Sequence, residues 1–596
     1  MTKLVGAERS NALNKCWTSG AFVLAATLGF AHVLFRACSI PLVHDECTSF
    51  LAYAQSGRFL PFMSMWDANN HYFNSLLGIV GYKLFGLHLL ALRWGSVLAY
   101  LLYAWSAYRV GANVRHAVVR WCLWSALLMC PFLLDFFSLF RGYGPAMAFL
   151  LFALQATLRF AQQGERRQLV HALLGMAIAN GFLLALVPLW GLQLALLLIA
   201  GAMQKEHIRV WVLLGALPLL GAAALAFFMA HMGLLYQGST TGFVAVTAVT
   251  LLWRTFGSQD VLLATGTVIF VLAACVAAFC SAWRQRSWRS PAFIVALLLM
   301  GESMARILAA NTIGLNYGED RTALHTLLLA IIAVAFAADA LLVRVRYAWM
   351  FALPLLAFPL RSALDLNLDH TVLWPEQSIP DRFVLFVKAM QERSARPLVV
   401  GTHRHAGLPW SLQCRMLGWE SDANAHDWPN GAHDVRITDA RYPHADMNGY
   451  VVVDSLPGAG LQLLVRTPRV STSVVLDTMI GLPADTVILM DSLSFGVPDL
   501  RTKDLLVELE GMISVMNGGP DARMRFTVFD TLGTPVHEDI IFLSTRRGSW
   551  NGEQFRTIRY VPHHSMAQRI VIELQDPRKA DRWIDHGHVV VRAIEQ

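Results

Sequence analysis

Charge is what this sequence has little of. Asp, Glu, Lys and Arg make up 15% of its 596 residues, against 55% hydrophobic side chains. A chain this poor in charge cannot fold its N-terminal two thirds as the interior of a water-soluble globule, which leaves a multi-pass membrane protein. Cysteine is scarce as well: eight residues and no Cys-x-x-Cys, so the usual redox and zinc motifs are missing. Cys122, Cys130, Cys275 and Cys280 fall in apolar stretches as small apolar side chains, while Cys38 and Cys47 could pair in an oxidising compartment or stay as thiols. There is no internal repeat and no low-complexity segment. The net charge of +7 does not point to nucleic acid, because the basic residues cluster in short loops between apolar runs.

What the chain has in abundance is apolar windows long enough to cross a hydrocarbon core, about eleven of them. They centre near residues 28, 99, 125, 151, 177, 195, 221, 271, 300, 331 and 354. Residues 169–202 are barely long enough for two crossings, and Pro188 would either separate two helices or bend one. No small-residue cleavage site follows the first run, so it is expected to be an uncleaved span. With the N-terminus cytoplasmic, every inner loop is basic: Arg109, Arg115 and Arg120; Arg159, Arg166 and Arg167; Lys205 and Arg209; Arg284, Arg286 and Arg289; Arg344 and Arg346. An odd number of spans then puts the C-terminal tail outside the cytoplasm, in a plasma (inner) membrane protein.

After about Asp365 the apolar runs shorten and Pro, Gly, Asn and Asp punctuate alternating segments. Residues 1–365 are therefore expected to form the membrane domain and 366–470 a small extracytoplasmic α/β part. That part should hold a helix near 383–393 and strands near 397–401, 449–454 and 461–466. Closely spaced strands near 485–490, 505–512, 524–529, 539–543, 556–561, 569–574 and 588–593 predict a β-sandwich over 471–596. Trp550 and Tyr560 beside Asn551 suggest a carbohydrate-binding face, with a structural lid as the alternative. His403, His405, His426 and His433 lack metal-ligand spacing.

Three clusters fall in the outer loops. The first loop carries Asp45 and Glu46, then Arg58, then Asp67, Asn69, Asn70 and His71 among Trp66, Tyr72 and Phe73. An acidic pair at a membrane surface must be hydrated, paired with cations, bound to a metal or used in proton transfer, and the polar stretch suits sugar hydroxyls or a cation. The alternative is an interfacial aromatic belt with Asp67 and the Asn residues as solvated caps. The second cluster is Arg141-Gly142-Tyr143-Gly144. A guanidinium at an outer helix end suits phosphate or carboxylate, or else it snorkels to headgroups or pairs with Asp135. The third is Glu319-Asp320-Arg321 with His325 four residues on, able to grip a phosphate or to close as a local ion pair. Glu302 and Arg306, also four apart, read as a self-neutralising pair.

An Asp-Glu pair after the first span, an Asn-His stretch in the same loop, Arg141-Gly142-Tyr143, a late Asp320-Arg321 and an external C-terminal region together resemble the GT-C superfamily of polyprenyl-phosphate-sugar-dependent glycosyltransferases. The bacterial protein mannosyltransferase and aminoarabinose transferase branches are the most similar. The resemblance covers about residues 15–365. It implies a GT-C-like helical fold and an inverting hexosyl- or pentosyltransferase that uses a polyprenyl-phosphate-linked sugar donor. The acceptor hydroxyl would lie on an envelope glycan, lipid or protein. Asp45 is then the general base, and Glu46 orients the acceptor, shares the base role or holds a divalent cation. Arg141, Tyr143, Arg321 and His325 bind the donor phosphate, and Arg58, Asp67, Asn70 and His71 bind acceptor or sugar. Asp45, Arg141 and Arg321 should then line one outward cavity. The chain departs from the family in lacking Trp-Trp-Asp and Asp-x-Asp signatures, and in opening its tenth span with Arg321-Thr322 where Arg-Tyr is more usual. A noncatalytic assembly or binding protein anchored by many spans would not require Asp45, Arg141 and Arg321 to meet in one cavity; the main alternative is a lipid or sugar carrier. It would place charges near the bilayer middle in two matching halves, and no halves match here.

Overall fold

The computed structural model describes residues 2–595 apart from 65, 204–208, 236, 395, 422, 427–432, 442–446, 481–491, 497, 516–522, 543–553 and 576–581. The chain falls into two compact units: Met1–Cys38, His71–Leu77 and Arg93–Leu368 form one, and Ser39–Asn70, Gly78–Leu92 and Asp369–Gln596 the other.

The first unit is helical. Each of the eleven apolar centres falls in a helix, and among the described residues seven helices, fewer than the eleven expected spans, are by themselves long and apolar enough to cross a membrane: Ser19–Ser39, Tyr143–Gln163, Leu184–Met203, Leu213–His231, Val261–Gln285, Pro291–Ile313 and Asp320–Leu341. Local chemistry fixes several ends. The Asp260 carboxylate accepts the N–H groups of Leu262 (2.7 Å) and Leu263 (3.2 Å), capping Val261–Gln285. Ser290 caps the next helix with Pro291 at its first position, where a missing N–H costs nothing. Left-handed Gly164, Gly257 and Gly314 close helices at their C-termini. Residues 169–202 form two helices, Arg166–Phe182 and Val187–Met203. Leu183 is extended between them, and Pro188 sits in the first turn of the second helix.

In the second unit the α/β part holds a five-stranded sheet. Its strands are β1 (Val400–His403), β2 (Ala423–His426), β3 (Val435–Asp439), β4 (Tyr450–Leu456) and β5 (Leu461–Arg466), in the order β2-β1-β3-β5-β4. β1 runs parallel to β2 and β3, and β5 antiparallel to β3 and β4. Phe383, Val384 and Val387 of the Asp381–Gln391 helix and Trp410 of the Gly407–Met416 helix pack with Val400, Ile437 and Leu463. The chain then forms β6 (Ser471–Ile480), β7 (Ser492–Gly496), β8 (Leu505–Val515), β9 (Arg523–Asp530), β10 (Pro535–Phe542), β11 (Gln554–Val561), β12 (Ala567–Gln575) and β13 (Arg582–Glu595). Two antiparallel sheets, β10-β9-β12-β7 and β11-β8-β13-β6, make the expected sandwich. Alternate residues Leu505, Val507 and Leu509 of one sheet meet Phe526, Val528, Ile570 and Ile572 of the other.

The predicted strand at 485–490 lies outside the described residues, as do Trp550 and Asn551. Tyr560 corrects an expectation. It is only 8% exposed, packed with Val399, Val470, Leu506 and Ile594, and its hydroxyl donates to Asp504 (2.5 Å), so it offers no open face for a sugar.

Candidate active site

The acidic pair belongs to the second unit and opens a short helix, His44–Ser49, which runs on through a π-helical turn, Phe50–Ala54. Val43 is the extended N-cap, and Glu46 in the first turn reaches back so that its Oε2 accepts the Val43 N–H at 3.1 Å. Glu46 is 0% exposed, whereas Asp45 beside it is half-buried. The α/β part holds this segment in place. The His44 N–H donates to Gln377 Oε1 (2.9 Å), the His44 ring meets His405 edge-on at 5.1 Å, and Arg415 donates to Gln55 Oε1 (3.4 Å). Further along, Arg58 is exposed, and Asp67 Oδ1 accepts the Asn69 N–H (2.8 Å) in a local turn. Asn70 is buried with its amide on Phe59 O (2.9 Å). Asp67 and Asn70 thus have structural duties in this loop.

In the first unit, Arg141 and Tyr143 stand at the start of Tyr143–Gln163. Glycine is required here: a Cβ on Gly142 would lie 2.3 Å from Phe182 O and 2.8 Å from the His71 Cβ, and one on Gly144 2.5 Å from Phe136 O. Arg141 is 1% exposed, with its guanidinium 5.6 Å from the Tyr143 ring and its carbonyl accepting from Ser96 Oγ (3.3 Å). His71 Nδ1 donates to Phe182 O (2.7 Å), and its ring meets Tyr143 edge-on at 4.7 Å. Three residues read from two separate loops, His71, Arg141 and Tyr143, therefore assemble. Asp135 is ion-paired with Arg36, which also donates to the backbone O and Oδ1 of Asn367, both at 2.6 Å.

The third cluster divides. Asp320, in the left-handed region at φ 39°, has its N–H on Thr250 Oγ1 (2.9 Å) and its carboxylate near Arg254 (3.6 Å) and Arg321 (3.4 Å). Arg321 also donates to Gln237 Oε1 (3.4 Å). His325, expected beside Arg321 on a phosphate, is fully buried, with Nε2 2.8 Å from Glu302 Oε1. Glu302 and Arg306 do pair, and Arg306 adds a bond to Ala185 O (2.8 Å). The third member of that group, His325, was not readable from spacing. Among the described residues, no group of three or more His, Cys, Asp or Glu side chains is placed to hold a metal ion.

The chain is similar to solved glycosyltransferases. One is ArnT from Cupriavidus metallidurans bound to undecaprenyl phosphate, at 12% identity, covering 75% of this chain and 98% of that one, with a TM-score of 0.33. A second is the Archaeoglobus fulgidus oligosaccharyltransferase in complex with zinc and sulfate, at 10% identity, 70% and 68% coverage and a TM-score of 0.40. A third is the arabinosyltransferase EmbB from Mycobacterium smegmatis, at 12% identity, 96% and 64% coverage and a TM-score of 0.34. Likenesses this distant assign no role to any residue. No family model and no curated protein matches the chain.

Proposed function

We propose that the chain is a membrane glycosyltransferase that moves a sugar from a polyprenyl-phosphate donor to a hydroxyl of an envelope glycan, lipid or protein outside the cytoplasm, with inversion. The reading is carried by Arg141, a guanidinium 1% exposed at the N-terminus of a 21-residue apolar helix. Arginine within a membrane bundle marks a polar pathway or an anion site, and a helix N-terminus adds its own preference for an anion. Polyprenyl phosphate leaves as an anion, so it needs cations rather than a proton. Arg141 and Arg321 serve that role, with Tyr143 and His71 shaping the first of the two sites. Asp45 takes the proton of the acceptor hydroxyl as its oxygen attacks the anomeric carbon and the bond to the phosphate oxygen breaks. Glu46, bonded to the Val43 N–H, holds the turn that presents Asp45.

The buried Glu302, Arg306 and His325 group favours a second reading, since carriers also place charge inside their spans. Purified full-length protein, synthetic polyprenyl-phosphate sugars and an acceptor mixture separate the two. Transfer should depend on protein and release polyprenyl phosphate, and Asp45→Asn should lose nearly all turnover at unchanged expression. Substantial remaining turnover removes Asp45 from the base role. Donor that crosses vesicles without bond cleavage makes the chain a carrier, and turnover lost in EDTA and restored by Mg²⁺ puts Glu46 on a cation.

A further inference from the structure

Glu302, Arg306 and His325 form a charged group buried among apolar spans, and the proposed chemistry does not use it. Glu302 and His325 are both 0% exposed, and Glu302 Oε1 bonds His325 Nε2 (2.8 Å) as well as Arg306. Arg306 Nη2 lies 3.2 Å from the same His325 nitrogen and donates to Ala185 O (2.8 Å), in the break between Arg166–Phe182 and Val187–Met203. One group of side chains thus ties together the Pro291–Ile313 helix, the first turn of Leu324–Leu341 and a helix break. Burying such a group is expensive, and a hydrophobic replacement would often hold helices as well, so its presence calls for a use beyond adhesion.

The use is legible one turn upstream. His325 follows the 3₁₀ turn Asp320–Ala323 without interruption, and that turn carries Arg321. Asp320 is held in the left-handed region, uncommon for a residue with a Cβ, and such outliers persist only where the surroundings over-determine them. One side of the turn is fixed by Thr250 and Arg254. The other is fixed by the rigid step to His325 and its bond to Glu302.

We propose that Glu302, Arg306 and His325 are positioning residues that set the place and angle of Arg321 for the phosphate of the donor. This rests on the assignment of Arg321 to that phosphate. It predicts that the network matters only while Arg321 is present, which a passive helix clamp would not do.

The test is a double-mutant cycle on the affinity of the purified full-length protein for undecaprenyl phosphate. Arg321→Ala should weaken binding about tenfold or more, the worth of a charge-assisted hydrogen bond. Glu302→Gln should weaken it about three- to tenfold in the parent and not measurably further in the Arg321→Ala background. His325→Gln, whose amide reaches the place of Nε2, should bind as the parent does, and His325→Ala should behave like Glu302→Gln; these two keep the test open if Glu302→Gln does not fold. Equal losses in both backgrounds, or no loss with Glu302→Gln and His325→Ala, overturn the positioning role while leaving Arg321 its own. An Arg321→Ala protein that binds normally removes Arg321 from the phosphate, and the positioning role falls with it.

Discussion

At the scale of single residues, the strings proposed to carry chemistry were legible because they are contiguous. Asp45-Glu46 and Arg141-Gly142-Tyr143 needed no fold to be noticed, and the i, i+4 pairing of Glu302 with Arg306 follows from helix geometry. What spacing could not give is the direction of a side chain towards a distant partner. Arg36 and Asp135 pair across 99 positions, and His325 turns to Glu302 because two helices pack there. Gly142 makes the point testable. A methyl group there meets the Phe182 carbonyl, backbone that cannot give way, so Gly142→Ala should cost about 1–3 kcal/mol, whereas Gly191→Ala, with nothing within 4 Å, should cost little. Thermal unfolding in detergent, comparing the two variants with the parent, reads this directly. Equal melting temperatures would mean that the Gly142 turn has slack.

At the scale of elements, the long apolar helices were readable because a hydrocarbon core demands an unbroken apolar run, and most of the sandwich strands because burial on one face writes a period of two into the sequence. Short elements escaped. The His44–Ser49 helix with its π-helical turn and strands β2, β3 and β7 have patterns too brief to separate from loop, whereas the Tyr72–Phe85 helix and β6 are longer and were passed over, the first within a loop rich in polar residues and the second at the start of the sandwich. The His44 helix and strands β2 and β3 rest on tertiary partners such as Gln377 and Trp410. In the sandwich, burial alone would raise the Asp504 carboxyl. Hydrogen bonds from the Tyr560 hydroxyl and from the backbone and ring of His563 outweigh it and hold the group below its ordinary value. A carboxyl lowered in the folded state stabilises the fold above its ordinary range, and that stability is lost as pH falls through the folded value. Asp504→Asn should therefore cost about 1–2 kcal/mol at neutral pH and progressively less towards acid. Calorimetry of the full-length protein across pH tests it, and a constant difference between the two proteins would assign the loss to packing.

At the scale of the whole molecule, the proposed reaction requires the acidic pair to face away from the cytoplasm. The basic inner loops and an odd number of spans predict that the first outer loop and the C-terminal region lie outside the cytoplasm; the second unit contains both Ser39–Asn70 and Asp369–Gln596, which fits a common side without fixing which side that is. Composition alone carried the membrane class, and charge placement supplies the orientation as an expectation. The pairing of the acidic segment with the α/β part, through His44 to Gln377 and His405, needed the fold. The central claim is that Asp45 works on an acceptor outside the cytoplasm, and cysteine labelling tests it most directly. Arg58→Cys, in a chain with Cys16, Cys38 and Cys280 replaced by Ser, reports on the first loop, and Arg167→Cys in the same background reports on an inner one. A membrane-impermeant maleimide applied to intact spheroplasts should label position 58 and should reach position 167 only after permeabilisation. Labelling of 167 but not 58 in intact spheroplasts would place the acidic pair in the cytosol and contradict the proposed reaction.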